Sequence, residues 1–81
     1  MAQVKLFAQA RDLAGSAEVT LPQAVATVAQ LRRELTQRLP ALASLVARSA
    51  IAVNGVYATD DTPLGPDDEL ALIPPVSGGQ R

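Results

Sequence analysis

Glu69-Leu70-Ala71-Leu72-Ile73-Pro74-Pro75-Val76-Ser77-Gly78-Gly79-Gln80-Arg81 is the stretch on which the reading of the fold turns. The apolar run from Leu70 to Ile73 has the length and character of a closing strand. Two prolines then end it, because proline fixes φ and offers no N–H to a ladder. The residues beyond them read as an arm. Gly78 and Gly79 carry no Cβ, so its end is thin enough to enter a narrow channel. Fully extended at ~3.3–3.6 Å per residue, the stretch from Pro74 to Gly79 spans at most ~20 Å. The expected division is a folded body over residues 1–75 and a flexible C-terminal tail over 76–81 that bears the paired glycines.

Outward from that stretch, the rest of the chain supplies the body. Residues 60–68, with Pro63, Gly65 and Pro66, predict a loop anchored by Leu64. Residues 51–53 and 56–58 predict two short strands joined by Asn54-Gly55, a tight-turn dipeptide and not a site. Upstream, Thr27 followed by Gln30 is a capping-box pattern that opens a helix. Val28, Leu31, Leu35 and Leu39 recur at helical spacing, with Arg32, Arg33, Glu34 and Gln37 turned to solvent. Pro40 stops that helix, and residues 41–47 predict irregular helical turns carrying Leu42, Leu45 and Val46 over the core. At the N-terminus, residues 3–8 alternate, with Val4, Leu6 and Ala8 on one face and Lys5 and Phe7 on the other. Residues 17–21 alternate again after the Gly15-Ser16 turn, so an antiparallel hairpin joined by a loop is predicted.

One amphipathic helix against one sheet makes a two-layer α+β domain. Val4, Leu6, Val19, Leu21, Ile51, Val53, Leu70 and Leu72 of the sheet are expected to meet Val28, Leu31 and Leu35. The opposite sheet face is left uncovered with Phe7, Ile73 and Tyr57 on it, as a surface for a partner.

Composition narrows the chemistry. The chain has 81 residues, 48% of them apolar, enough for one small core without staples. It contains no cysteine and no histidine, which removes thiol nucleophiles, thiolate metal sites and the commonest general base. A net charge of −1 and only two aromatic residues leave no basis for nucleic-acid binding. No apolar run has the length of a membrane span, so a cytoplasmic domain without membrane contact is expected. Asp60, Asp61, Asp67, Asp68 and Glu69 read as turn formers and solubilising charge, too sparse for calcium, and no metal site is expected. The side chains are poorly equipped for catalysis, so the chemistry belongs to the backbone terminus or to a partner.

Four stretches together resemble a known family: Leu6-Phe7-Ala8-Gln9-Ala10-Arg11-Asp12-Leu13-Ala14-Gly15, Ala52-Val53-Asn54-Gly55, Pro63-Leu64 with Asp68-Glu69-Leu70-Ala71, and Pro74-Pro75-Val76-Ser77-Gly78-Gly79. The chain looks like a β-grasp, ubiquitin-like domain and, more narrowly, resembles the small sulfur-carrying subunits of molybdopterin synthases. The resemblance implies a mixed four- to five-stranded sheet with one main helix packed on one face. It implies that an adenylating and sulfurating activating enzyme uses ATP to turn the Gly79 carboxylate into an acyl-adenylate and then a thiocarboxylate. No cofactor is bound permanently. Gly78 and Gly79 are the reacting end. The sulfur passes to cyclic pyranopterin monophosphate in the large synthase subunit, within a heterotetramer. Phe7, Arg11, Tyr57, Ile73, Pro74, Pro75, Val76 and Ser77 are the expected partner-binding residues, Arg11 either through an interfacial salt bridge or merely solvated.

One departure matters. Gln80 and Arg81 follow Gly79, so in the sequence as written Gly79 carries an amide, and an amide is not adenylated this way. Removal of both residues is the expected remedy; an inactive form and a different role are the other readings. Related sulfur carriers (for thiamine, tRNA thiolation or cysteine synthesis), a ubiquitin-like modifier conjugated through Gly79, and a plain interaction module stay open.

Overall fold

The computed structural model describes residues 2–22 and 24–75. Its strands are β1 (Ala2–Leu6), β2 (Glu18–Leu21), β3 (Ala50–Val53), β4 (Val56–Ala58) and β5 (Leu70–Ile73). Its helices are α1 (Ala8–Ala14), α2 (Val28–Arg38) and α3 (Ala43–Arg48), with a 3-10 turn over Pro40–Leu42. The strands form one sheet in the order β2-β1-β5-β3-β4. β1 and β5 run parallel at its centre, and every other pairing is antiparallel.

The N-terminal alternation stops two residues earlier than its pattern implies. β1 ends at Leu6, and Ala8, with φ +52°, turns the chain into α1. The expected loop between the first strands is therefore a helix, and Ala10 rather than Ala8 enters the core. Alanine, glutamine, arginine and leucine all favour a helix. Gly15 closes it in the left-handed region at φ +72°, its N–H donating to the Arg11 carbonyl at 2.9 Å.

α2 opens as its cap pattern predicts, with one change of partner. Thr27 Oγ1 accepts from the Gln30 N–H at 3.2 Å, while Gln30 Oε1 accepts from Ala26 N–H, not from Thr27, at 2.7 Å. The N–H groups of Val28 and Ala29, without partners inside the helix, donate to the carbonyls of Thr62 and Asp60. The long loop is thus pinned to the helix start. Val28, Leu31 and Leu35 are fully buried against Val4, Ile51 and Leu72 of the sheet, each worth about 1.5–3 kcal/mol for a wholly buried aliphatic chain. Leu42, Leu45 and Val46 close one side of this core, as expected, while Val19 and Val53 pack at its edge, half-buried. Arg32 departs from its solvated reading. It is half-buried, donating from Nη1 to the Val46 carbonyl at 2.6 Å and from Nε to Asp60 Oδ1 at 2.9 Å.

The β3–β4 connection is a two-residue turn with Asn54 at φ +53° and Gly55 at φ +83°. A left-handed pair of this kind matches strand twist and favours Asn-Gly.

Candidate functional site

Buried residues of all three α-helices share one core with Val4, Leu6, Ile51, Leu70 and Leu72, and alternation along each strand sends every second side chain to the other face. Strand register assembles that face. Lys5 pairs with Ala71, Ala71 with Ala52, and Ala52 with Tyr57, making one row across four strands. Ile73 stands two residues along β5, beside Phe7, which directly follows β1. A groove of about 350 Å³ results, lined by Lys5, Phe7, Ala52, Gly55, Tyr57, Glu69, Ala71 and Ile73. The alanines and the glycine keep its floor low, and the aromatics make its walls. Phe7 is 46% exposed and Tyr57 71% exposed, high values for aromatic residues that have a core available.

A second depression, of about 680 Å³, adjoins the first. It is lined by Phe7, Ala8, Gln9, Asp12, Ile73, Pro74 and Pro75, so Phe7 and Ile73 belong to both. The surface therefore runs unbroken from the β3–β4 turn to the point where the chain leaves β5. Pro74 is buried and Pro75 exposed, so the root of the arm is anchored at one proline and presented at the next.

Of the expected partner-binding residues, Phe7, Tyr57, Ile73, Pro74 and Pro75 come together on this surface. Arg11 is exposed on α1 and lines neither depression. Val76, Ser77, Gly78 and Gly79, with Gln80 and Arg81, lie outside the described residues. The sequence reading missed the groove's polar edge, where Lys5 Nζ donates to Glu69 Oε2 at 3.2 Å. Lys5 shares a strand face with Phe7 by simple alternation, which is the signal that was available.

The end of the groove near Gly55 is held by a small network. Asn54 Nδ2 donates to Asp68 Oδ1 at 2.9 Å, and Asn54 Oδ1 accepts from the Glu69 N–H at 2.8 Å. Asp68 Oδ2 accepts from the Gly65 N–H at 2.7 Å. That backbone donor, followed by the Asn54 amide, holds the Asp68 carboxyl below the usual carboxylate range. Among the described residues no group of three or more acidic side chains is placed to hold a metal ion, and no helix is long and apolar enough to cross a membrane. The arrangement offers an apolar landing surface with a strand leading out of it.

Comparisons with known proteins give the family and the fold. Residues 4–79 match the ThiS family. The molybdopterin synthase sulfur carrier subunit of Arabidopsis thaliana is 38% identical over 78 residues, covering 95% of this chain and 81% of that protein. The crystal structure of SAMP1, small archaeal modifier protein 1, from Haloferax volcanii superposes with a TM-score of 0.80 at 36% identity, covering 95% of this chain and 97% of that one. A chain in the complex of subunits 1 and 2 of the molybdopterin-converting factor from Helicobacter pylori superposes with a TM-score of 0.67 at 26% identity, covering 95% and 96%. The two-layer α+β arrangement is the ubiquitin-like β-grasp fold. With nearly its whole length matched, the chain belongs to the ThiS family.

Proposed function

We propose that this chain is the sulfur carrier subunit of a molybdopterin synthase, with the carboxyl end of Gly79 as its reactive group. One observation carries the reading. The strand that leads to the paired glycines ends at the rim of the sheet's uncovered apolar surface, so a protein docked there receives the terminus. Docking thereby turns an encounter between two reactants into an intramolecular delivery. The relatives named as sulfur carrier subunits support the sulfur, and the complex of subunits 1 and 2 supports a large-subunit partner.

The chemistry needs no side chain of this protein. A peptidase removes Gln80 and Arg81 to free the Gly79 carboxylate. A partner activating enzyme lets that carboxylate attack the α-phosphorus of ATP, releasing pyrophosphate and leaving an acyl-adenylate. Sulfur from a donor displaces AMP, and Gly79 becomes a thiocarboxylate. On the large subunit, in a heterotetramer, the sulfur is passed to cyclic pyranopterin monophosphate. Ser77, Gly78 and Gly79 let main-chain groups face the channel walls of both partners. The proposed site of the reaction is the cytoplasm.

Reconstitution tests this. Protein ending at Gly79 is expected to gain the mass of sulfur-for-oxygen exchange with a cognate activator, then to convert the pterin precursor with the large subunit. A Gly79-ended chain that takes neither AMP nor sulfur refutes the reading. Intact mass in the native host tests trimming, and full-length chain alone beside a working pathway refutes it. The likeness to SAMP1 favours one second reading, a protein modifier joined through Gly79 to lysines of targets. Isopeptide-linked adducts in cells distinguish it.

A further inference from the structure

Lys5 is the only lysine in the sequence; the remaining cationic side chains are arginines. A guanidinium stays protonated at any physiological pH and is a poor acceptor of acyl groups. Beside the N-terminal amine, Lys5 Nζ is therefore the one nitrogen nucleophile this chain can offer. Its position is not that of an arbitrary surface lysine. The side chain is 47% exposed on the wall of the groove, in the same row as Tyr57 and on the same face as Phe7. Nζ lies 3.2 Å from Glu69 Oε2, an exposed ion pair that holds the amine at the edge of the groove. The floor beneath it is Ala52, Ala71 and Gly55, low enough for a main chain of small residues to lie across.

We propose that Lys5 is an acyl-acceptor site for the activated Gly79 of a second copy of this chain. The inference rests on the proposed activation of Gly79, and it names where that acyl group goes when the acceptor is this protein. Lys5 Nζ gives up an ammonium proton to water, and the neutral amine attacks the Gly79 carbonyl carbon. The C–N bond forms, the bond from that carbon to the leaving group (AMP of the adenylate, or a thiolate) breaks, and the second proton passes to water. No oxidant or reductant is involved. The adduct places a chain in the groove, so a Lys5-linked copy and a partner docked on Phe7 and Tyr57 exclude each other.

The test bypasses the activating enzyme. A chain ending at Gly79, carrying Lys5→Arg and an acetylated N-terminus, is prepared as a C-terminal thioester and mixed with full-length acceptor whose N-terminus is acetylated. A covalent dimer is expected, with Gly79 attached to Lys5 in the branched peptide, and it is lost with a Lys5→Arg acceptor of unchanged circular dichroism. Acylation of free glycinamide by the same thioester shows that the donor is competent. No dimer despite that control, or a dimer that survives Lys5→Arg, overturns the proposal. Because the thioester is prefabricated, none of these outcomes depends on whether the activator accepts the chain.

Discussion

Replacing Tyr57 by alanine separates docking from folding. Tyr57 is 71% exposed, so of a side chain offering roughly 200 Å², about 140 Å² faces solvent and about 60 Å² is covered. At ~25 cal/mol per Å², the covered part limits the stability loss to about 1.5 kcal/mol. Cover of the open part by a partner has a ceiling of about 3.5 kcal/mol on the same scale, which the phenol hydroxyl lowers to about 2 kcal/mol. Binding to the large subunit should therefore weaken roughly thirtyfold. Urea denaturation of the free chain and titration calorimetry with the large subunit measure the two quantities separately. Leu31→Ala, at a fully buried position, supplies the contrast: about 2–5 kcal/mol of stability lost. If Tyr57→Ala binds within twofold of the parent, or unfolds as readily as Leu31→Ala, the groove is not the docking surface.

Other perturbations address the arm, the helix start and the turn network. Gly79→Val in a chain ending at that residue is expected to leave the melting curve unchanged and abolish sulfur loading, read by intact mass; loading at the parental rate counts against a narrow channel. Thr27→Ala removes the hydroxyl that accepts from Gln30 and should cost about 1 kcal/mol in urea denaturation, with Thr27→Ser restoring most of it. The Asp68 carboxyl is held below its unfolded value near 3.8, so its bonds add stability above that pH and lose it as pH falls through the folded value. Protection of the Gly65 and Glu69 amides against exchange, relative to their intrinsic rates, should fall over that acidic window, and Asp68→Asn should remove the dependence.

Much of this was legible in the residues themselves, and the gaps have physical causes. Asn54-Gly55 announces its turn because few other pairs tolerate two positive φ values. Thr27 and Gln30 mark the helix start for an equally local reason. α1 escapes because the alternation of β1 runs on in the letters to Ala8, and nothing nearby says that Leu6 is the last residue to pair. Only the need to bury Ala10 settles the matter, and that need is tertiary. Arg32 stands on a helix flank that any wheel assigns to water, yet its partners Asp60 and Val46 lie in other segments. Counting in twos assigns Phe7, Tyr57 and Ile73 to the open face. Their union into one groove with Lys5 and Glu69 requires the pairing register, which the letters of any single strand do not contain.

The central position of β5 has a mechanical consequence. A terminal arm attached to an edge strand would peel that strand away one hydrogen bond at a time when tugged. Here the arm continues a strand zipped on both sides, in parallel to β1 and antiparallel to β3, so tension along it loads both ladders in shear, where many bonds must yield at once. In the proposed function, other proteins that grip and withdraw this terminus pull on a strand paired along both edges.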